Sequence, residues 1–490
     1  KVSFEPQDRI FHGHGHTCQE IYKVRFGQFQ RVPDCVIWPK SHEEVEVIVR
    51  LANEHDVVII PFGGGTSVSG ALECPANERR MIVSLDMHLM NKIKWVDREN
   101  MLVCMEAGII GQDVKRRLEA LGLTIGHEPD SLEFSSLGGW IATRASGMKR
   151  SVYGNIEDML VRVKMVTGVG TIDRACDVPR LSIGPDVQQM VLGSEGALGV
   201  VTEAVLRMRE LPQVTQYGSF IFPTFEMGVS FMHEVSRRRC TPASIRLVDN
   251  EQFQLGHSLK PQKKNPFAPI VDGFKKFYIT KWHGFQPTDI CVATMLFEGN
   301  KEEVAAHARR IAAIAQQFRG VDAGEENGYR GYFLTFMIAY LRDFGVRFSY
   351  MAESFETSVP WSNVLLLCEA VKRRVHASCK EAGIQTAPFV SCRVTQTYDT
   401  GACVYFYFGF SWKGIKDPVG TFTFIEDAAR DEILALGGSL SHHHGVGKHR
   451  RKWLRGQVSD AGFEALRSVK AALDPRNVFG NGNLVGEGGH

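Results

Sequence analysis

Pro61-Phe62-Gly63-Gly64-Gly65-Thr66-Ser67-Val68-Ser69-Gly70 follows directly on the apolar run Val57-Val58-Ile59-Ile60, which reads as a buried strand. Three consecutive glycines allow positive φ and close approach of the backbone to a ligand, because no Cβ intervenes. Successive N–H groups in such a turn form a concave nest for an anion, and Thr66, Ser67 and Ser69 add hydroxyl donors. A diphosphate suits that nest. The loop has no lysine, so it is not G-x-x-x-x-G-K-[ST], and its spacing is not G-x-G-x-x-G. Taken alone, the stretch leaves a glycine-rich tight turn open as the plainer account.

Two further segments share its texture. One holds Asp130, Ser131, Ser135 and Ser136 ahead of Gly138-Gly139, then Thr143-Arg144-Ala145-Ser146. The other is Gly193-Ser194-Glu195-Gly196-Ala197-Leu198-Gly199-Val200-Val201-Thr202, a glycine-punctuated turn running into a β-branched strand. The order of the three resembles the vanillyl-alcohol-oxidase type of flavin-binding domain. That resemblance implies FAD. Residues Pro61 to Ser67 would cradle the pyrophosphate, and the two later segments would line the ribityl chain, the isoalloxazine ring and the adenine side. The implied fold is α+β: a two-subdomain FAD-binding domain plus a substrate-binding cap domain, an antiparallel sheet flanked by helices. The text Leu473-Asp474-Pro475 to Asn483-Leu484 is similar to the family's closing segment, L-D-P-x-x-x-x-N-P-G-x-L, without its second proline.

At 490 residues the chain is long enough for two large domains. Its 44% hydrophobic content and 57 Lys+Arg against 55 Asp+Glu describe a soluble globular protein with no basic excess for nucleic acid. Eleven scattered cysteines without a C-x-x-C pair point to buried free thiols, not to a disulfide scaffold or a zinc module. No metal is expected. No apolar stretch approaches the roughly 18 residues of a membrane-spanning helix. The chain opens on Lys1, so an N-terminal extension is expected to precede it, and its end is not an S-K-L type address.

We expect residues 1–30 to be a solvated N-terminal arm in spite of His12, His14 and His16. Residues 31–210 form the FAD-binding domain, 211–447 the cap, and 448–490 a C-terminal helical segment packing back near the flavin. Ser41 and Glu44 sit at capping-box spacing ahead of a helix to about Asn53. Residues 301–317 carry a second helical pattern.

Three constellations can carry chemistry. Ser441-His442-His443-His444-Gly445 places three imidazoles between glycines, where they can move protons or bind phosphate or metal. Tyr405 and Tyr407 fall on one face of a strand over Cys403–Phe408, as acid/base candidates or as packed phenols with satisfied hydroxyls. Arg246 stands alone in the apolar strand Ser244–Asp249, where it meets a carboxylate, a phosphate or a flavin carbonyl. Residues 263–285 interleave Lys263, Lys264, Lys275, Lys276 and Lys281 with Phe267, Phe274, Phe277, Tyr278, Trp282 and Phe285. That mixture suits a membrane headgroup interface, or an ordinary strand beside a surface loop.

Together, R-V-P-D-C-V-I-W-P, S-I-R-L-V-D-N, F-E-T-S-V-P-W, C-R-V-T-Q-T-Y-D-x-G-A-C-V-Y-F-Y-F and L-S-H-H-H-G-V-G-K resemble the alkyldihydroxyacetonephosphate synthases, a flavoenzyme family of ether-lipid and plasmalogen synthesis. The resemblance runs from about residue 31 to 484. It implies a transferase that exchanges the acyl group of acyl-dihydroxyacetone phosphate for a long-chain fatty alcohol, through a flavin N5 adduct and without net redox change. It also implies non-covalent FAD, Tyr405 as proton donor and acceptor, and His442 to His444 at the headgroup. By the same resemblance Arg246 and His127 belong to the active site, and Arg342 binds substrate. A homodimer, peripheral membrane contact and a location at the luminal face of the peroxisome or a derived organelle complete the expectation. The alternative on the same fold is an FAD-dependent D-2-hydroxyacid dehydrogenase. There the text is similar to G-G-S-x-S-G-E-H-G-I-G, and His442 and His443 replace its Gly and Glu.

Overall fold

The computed structural model describes residues 1–258 and 283–485, with the backbone alone over 334–341. The chain forms two compact units, Lys1–Leu211 with the chain from Leu440 onward, and Pro212–Ser439.

In the first unit, β1 (Val2–Ser3), β2 (Cys35–Ile37), β3 (Val58–Phe62) and β4 (Ile82–Asp86) form one sheet in the order β1-β2-β4-β3. β4 is parallel to both β2 and β3. The helix His42–His55 starts where Ser41 Oγ accepts the Glu44 N–H, and it ends at Asp56, whose φ is +55°. Its stripe Val45, Val49 and Ala52 packs on Ile59 and Leu85 in one apolar cluster. Further along lie β5 (Ile93–Asp97), β6 (Leu102–Glu106), β7 (Leu123–Thr124), β8 (Leu160–Thr167), β9 (Gly170–Ile172), β10 (Val200–Arg207) and β11 (Arg209–Glu210). Five of them make an antiparallel sheet, β5-β6-β10-β8-β9, and β7 pairs with β11.

The second unit is a seven-stranded antiparallel sheet. Its strands are β12 (Val214–Phe222), β13 (Ser244–Val248), β14 (Cys291–Gly299), β15 (Val321–Asp322), β16 (Tyr350–Pro360), β17 (Phe389–Thr397) and β18 (Gly401–Ser411). They lie in the order β15-β12-β14-β13-β17-β18-β16. Alternation divides its two faces. One face presents Leu247, Val394, Phe355, Phe406 and Phe408, all buried. The helix Phe225–Arg237 lies on it so closely that a Cβ at Gly228 would come within 2.6 Å of Leu247. The other face carries Arg246, Thr294, Arg393, Tyr405 and Glu356, and the helix Glu325–Arg347 covers part of it. Glycine permits that approach: a Cβ at Gly331 would sit 2.5 Å from Thr294 Cγ2.

Two expectations change. Residues 1–30 are not a solvated arm but a short strand and two helices, Pro6–Phe11 and Cys18–Phe26. His12 is buried, with Nδ1 on the Asp8 carbonyl at 2.7 Å and Nε2 on Asp86 Oδ2 at 2.9 Å. Residues 440–447 belong to the first unit, so the second ends eight residues earlier than the expected 447. The chain turns over where Ser358 N–H donates to Ser439 Oγ, while the next residue, Leu440, donates to Gln457 Oε1. The C-terminal helix Arg451–Leu473 is broken at Ser459, φ +67°. The basic and aromatic stretch proposed for membrane contact falls almost wholly outside the described residues; Phe285, at its end, is buried. All eleven cysteines are free, and only Cys176 is exposed.

The closing L-D-P text works through one carboxylate. Asp474 accepts the N–H groups of Val478 and Phe479, both at 2.8 Å, and pairs with Lys470 Nζ. This pins Val478 and Phe479 in the apolar cluster beneath the first sheet, where Ile59 N–H donates to the Val478 carbonyl at 2.7 Å. Removing one partner of a buried pair leaves the rest uncompensated. Asp474→Ala should therefore lose about 3 kcal/mol or more, read as a lower urea midpoint. Arg455→Ala, which breaks exposed pairs with Asp460 and Glu464, should stay within about 0.5 kcal/mol. Equal midpoints for the two variants would show that the clamp contributes nothing.

Candidate active site

In the first unit the three glycine segments meet. Gly63 and Gly64 lie against the second segment: a Cβ at Gly63 would be 2.3 Å from Ser136 Oγ, and one at Gly64 1.8 Å from the Phe134 carbonyl. Gly193 and Glu195 donate their N–H groups to the carbonyls of Ile141 and Ala142, at 3.0 and 2.8 Å. Gly196 in turn closes on Pro61, whose Cδ would be 3.2 Å from an added Cβ. Gly65 takes φ +69° and Gly196 φ +69°, a region in which a side chain is strained.

The loop is built to receive something. The N–H groups of Gly64, Gly65, Thr66 and Ser67 donate to no protein acceptor among the described residues, and all four residues are half-buried. Four consecutive open donors on a glycine turn fit a diphosphate. The second segment is mainly framework around that nest. Ser135 Oγ accepts from Trp140 Nε1 at 2.8 Å, Ser136 caps the helix Leu137–Thr143, and Ser146 Oγ donates to Asn155 Oδ1 at 2.6 Å. Thr143 Oγ1 donates to the Gly139 carbonyl, Arg144 takes φ +52° at the helix end, and Asp130 is exposed.

Glu195 ties this loop system to the segment after the histidine run. Its carboxylate accepts the N–H groups of Val446 and Gly447, both at 2.6 Å, and burial pushes its pKa up against those hydrogen bonds. It thus fixes the turn that follows His442-His443-His444. Those rings are half-buried and adjoin one another edge to face, with His442 Nδ1 2.7 Å from His443 Nδ1. His127, only 3% exposed, packs against Trp140, and neither of its ring nitrogens has a protein partner among the described residues. Desolvation, opposed by Glu128 and reinforced by His443, pushes its pKa down to about 3. It is a neutral donor or acceptor facing an interior that lacks its partner, as a polar ligand would require.

Lys448 was not assigned a role from sequence. Its Nζ donates to the carbonyls of Gly70 (3.0 Å) and Ala71 (3.3 Å) and to Asn483 Oδ1 (3.0 Å), and burial pushes its pKa down to about 8. The glycine frame Gly445-Val446-Gly447-Lys448 was the available signal.

In the second unit Tyr405 and Tyr407 stack, ring centroids 6.1 Å apart. Across the ladders Tyr405 faces Arg393 on β17 and Glu356 on β16. Arg246 shares this face, its guanidinium 5.5 Å from the Tyr332 ring. Arg342 is buried on Glu353, Nη1 to Oε2 3.1 Å. Ser391, opposite Tyr407, has a buried hydroxyl without a protein partner among the described residues. Arg393, Glu356 and Ser391 carried no periodic signal; strand pairing alone brings them to the tyrosines.

Comparison with known proteins bears on these two arrangements. Residues 33–175 match the FAD binding domain model, and residues 211–484 match the C-terminal domain model of FAD linked oxidases. An alkyldihydroxyacetonephosphate synthase of Caenorhabditis elegans is 50% identical over 487 residues, covering 99% of this chain and 82% of that protein. A solved alkyldihydroxyacetonephosphate synthase superposes with a TM-score of 0.84 at 33% identity, covering 97% of this chain and 81% of the other. A substrate-bound p-cresol methylhydroxylase shares the fold, with a TM-score of 0.72 at 14% identity over 98% of this chain and 92% of its own. The open donors of the glycine loop and His127 lie within the stretch that matches the FAD binding domain, and the chain belongs to the alkyldihydroxyacetonephosphate synthase family of FAD-linked enzymes.

Proposed function

We propose that this chain makes the ether bond of ether lipids, exchanging the acyl group of acyl-dihydroxyacetone phosphate for a long-chain fatty alcohol. The observation that carries the reading is 50% identity along 99% of the chain to a synthase of that name. In the exchange, the bond between the dihydroxyacetone carbon and the ester oxygen breaks, and the fatty acid leaves as carboxylate. The alcohol oxygen bonds to the same carbon and gives up its proton. Nothing is oxidised, so no electron acceptor is consumed.

The bound flavin supplies covalent chemistry at that carbon. The chain supplies proton movement and charge. Tyr405, 4% exposed on the polar sheet face, is the group we assign to hold and return the proton. Arg246 offers that face fixed positive charge, as a phosphorylated substrate requires. Arg342, steadied by Glu353, is our substrate-side arginine. His442 to His444 line the headgroup, and neutral His127 adds a hydrogen bond without a charge. A nearly insoluble alcohol favours peripheral attachment to a membrane; a homodimer and a peroxisomal setting follow from the family likeness alone.

Incubation with acyl-dihydroxyacetone phosphate and labelled fatty alcohol, with no acceptor present, should yield labelled alkyl product. Anaerobic D-lactate should leave the flavin yellow, and bleaching would favour the hydroxyacid dehydrogenase instead. Denaturation should release the flavin to the supernatant, because the first glycine loop offers no His or Cys anchor for the ring; colour retained in the precipitate would refute non-covalent binding. Tyr405→Phe keeps the ring and deletes the hydroxyl. Turnover should fall by about 10²–10⁴-fold at unchanged FAD content, while Tyr407→Phe is tolerated better. Activity above about a tenth of wild type in Tyr405→Phe would remove that residue from proton transfer.

A further inference from the structure

A row of side chains crosses the polar face of the second sheet at one level. Val248 on β13 is the register partner of Arg393 on β17, Arg393 of Tyr405 on β18, and Tyr405 of Glu356 on β16. Directly paired positions on one face hold their Cβ atoms about 5 Å apart. Tyr405 therefore stands between a cation and a carboxylate. Arg393 reaches further than its own pair: its Cζ lies 4.7 Å from the Tyr405 ring centroid and 5.0 Å from that of Tyr407. One guanidinium thus spans both stacked phenols, and it is 3% exposed.

We propose that Arg393 is a positioning residue that sets the acidity of Tyr405 and holds its ring in place for proton transfer. The proposal rests on the reading that Tyr405 moves the proton. A guanidinium over an aromatic face is held by the ring quadrupole. Its attraction grows when the phenol loses its proton, because the charge then gained is negative and close by. Glu356 acts in the opposite sense from the other neighbouring strand. Its backbone carbonyl accepts from Arg430 Nη1 at 3.2 Å, which fixes the strand at that level. Arg246 on β13 adds a second cation to the same face. Among the described residues of the helix covering it, the buried charge is Arg342, matched by Glu353. On the opposite face Asp249 is matched by Lys372. In this row the Arg393 guanidinium lies against the Tyr405 ring.

A structural role alone would lower stability or FAD content without moving a titration. The test is therefore the pH profile of kcat/KM, measured on FAD-loaded wild type, Tyr405→Phe, Arg393→Met and Arg393→Lys. The limb missing from Tyr405→Phe is the one that Tyr405 carries. Without the cation the phenolate is less stable, so Arg393→Met should move that limb to higher pH by about one unit or more. Arg393→Lys, which keeps the charge but not the planar fork, should restore most of the position. The expected loss lies in kcat, with KM changed little. If the limb disappears in Tyr405→Phe yet stays in place in Arg393→Met, the inference about Arg393 is wrong and the role of Tyr405 stands. If Tyr405→Phe keeps the wild-type profile, the underlying reading of Tyr405 fails instead. Should Arg393→Met not accumulate as holoenzyme, Arg393→Gln, which also removes the charge, decides: an upward shift of the limb supports the inference, and an unmoved limb overturns it.

Discussion

The carboxylate of Glu195 is the constraint on which the first unit turns. It is buried, it lies in a glycine-flanked turn at φ +48°, and it accepts two backbone N–H groups from a segment more than 250 positions away. Burying a carboxylate is unfavourable unless it is fully hydrogen-bonded. Its geometry is therefore specified, and so is that of both strands of backbone it joins. Asn481 and Asn483 add to the arrangement by donating to the Glu195 carbonyl, at 3.0 and 2.9 Å. Lys448 continues it to Gly70 and Ala71, at the far end of the first glycine loop. The first glycine loop, the histidine run and the C-terminal segment are thus one hydrogen-bonded assembly, although the sequence scatters them.

The second unit solves a different problem. A seven-stranded antiparallel sheet needs one apolar face against helices, and it has one. Its other face is free to carry polar side chains, but these are buried too, because a long helix lies across part of it. Buried arginines are tolerated only where carboxylates, carbonyls or aromatic rings meet them. Arg342 has Glu353, Arg430 has Glu426 and the Glu356 carbonyl, and Arg246 has the Tyr332 ring.

What sequence reveals divides along the same line. Backbone demands are legible: Gly63 and Gly64 were readable as a close approach because no Cβ fits there. The helix over 301–317 and the strand through Tyr405 also follow their periodicity, since each repeats a local rule. Long-range partners are not legible. The histidines of residues 1–30 read as solvated because nothing nearby pairs with them; His12 finds Asp86 from 74 positions away. Glu195 reads as a cofactor residue by its place in a motif, yet its carboxylate is consumed by backbone donors that sequence cannot place. The end of the second unit was set eight residues late for a similar reason. The break follows from Ser439 pairing with β16, not from the glycines beside it. Arg393 sits in a string that was singled out, and only strand register shows what it touches.

The thiols have a consequence of another kind. Ten of the eleven are buried, and desolvation pushes Cys74 to about 12 and both Cys104 and Cys379 to about 11. Thiolate, not thiol, is the reactive form. These groups are shielded twice, by access and by ionisation, whereas Cys176 is open to solvent. The native fold therefore presents one address to an alkylating reagent and withholds ten. Each core thiol that becomes modified marks a local opening of the element that bears it, so the chain carries its own set of position-specific reporters of breathing.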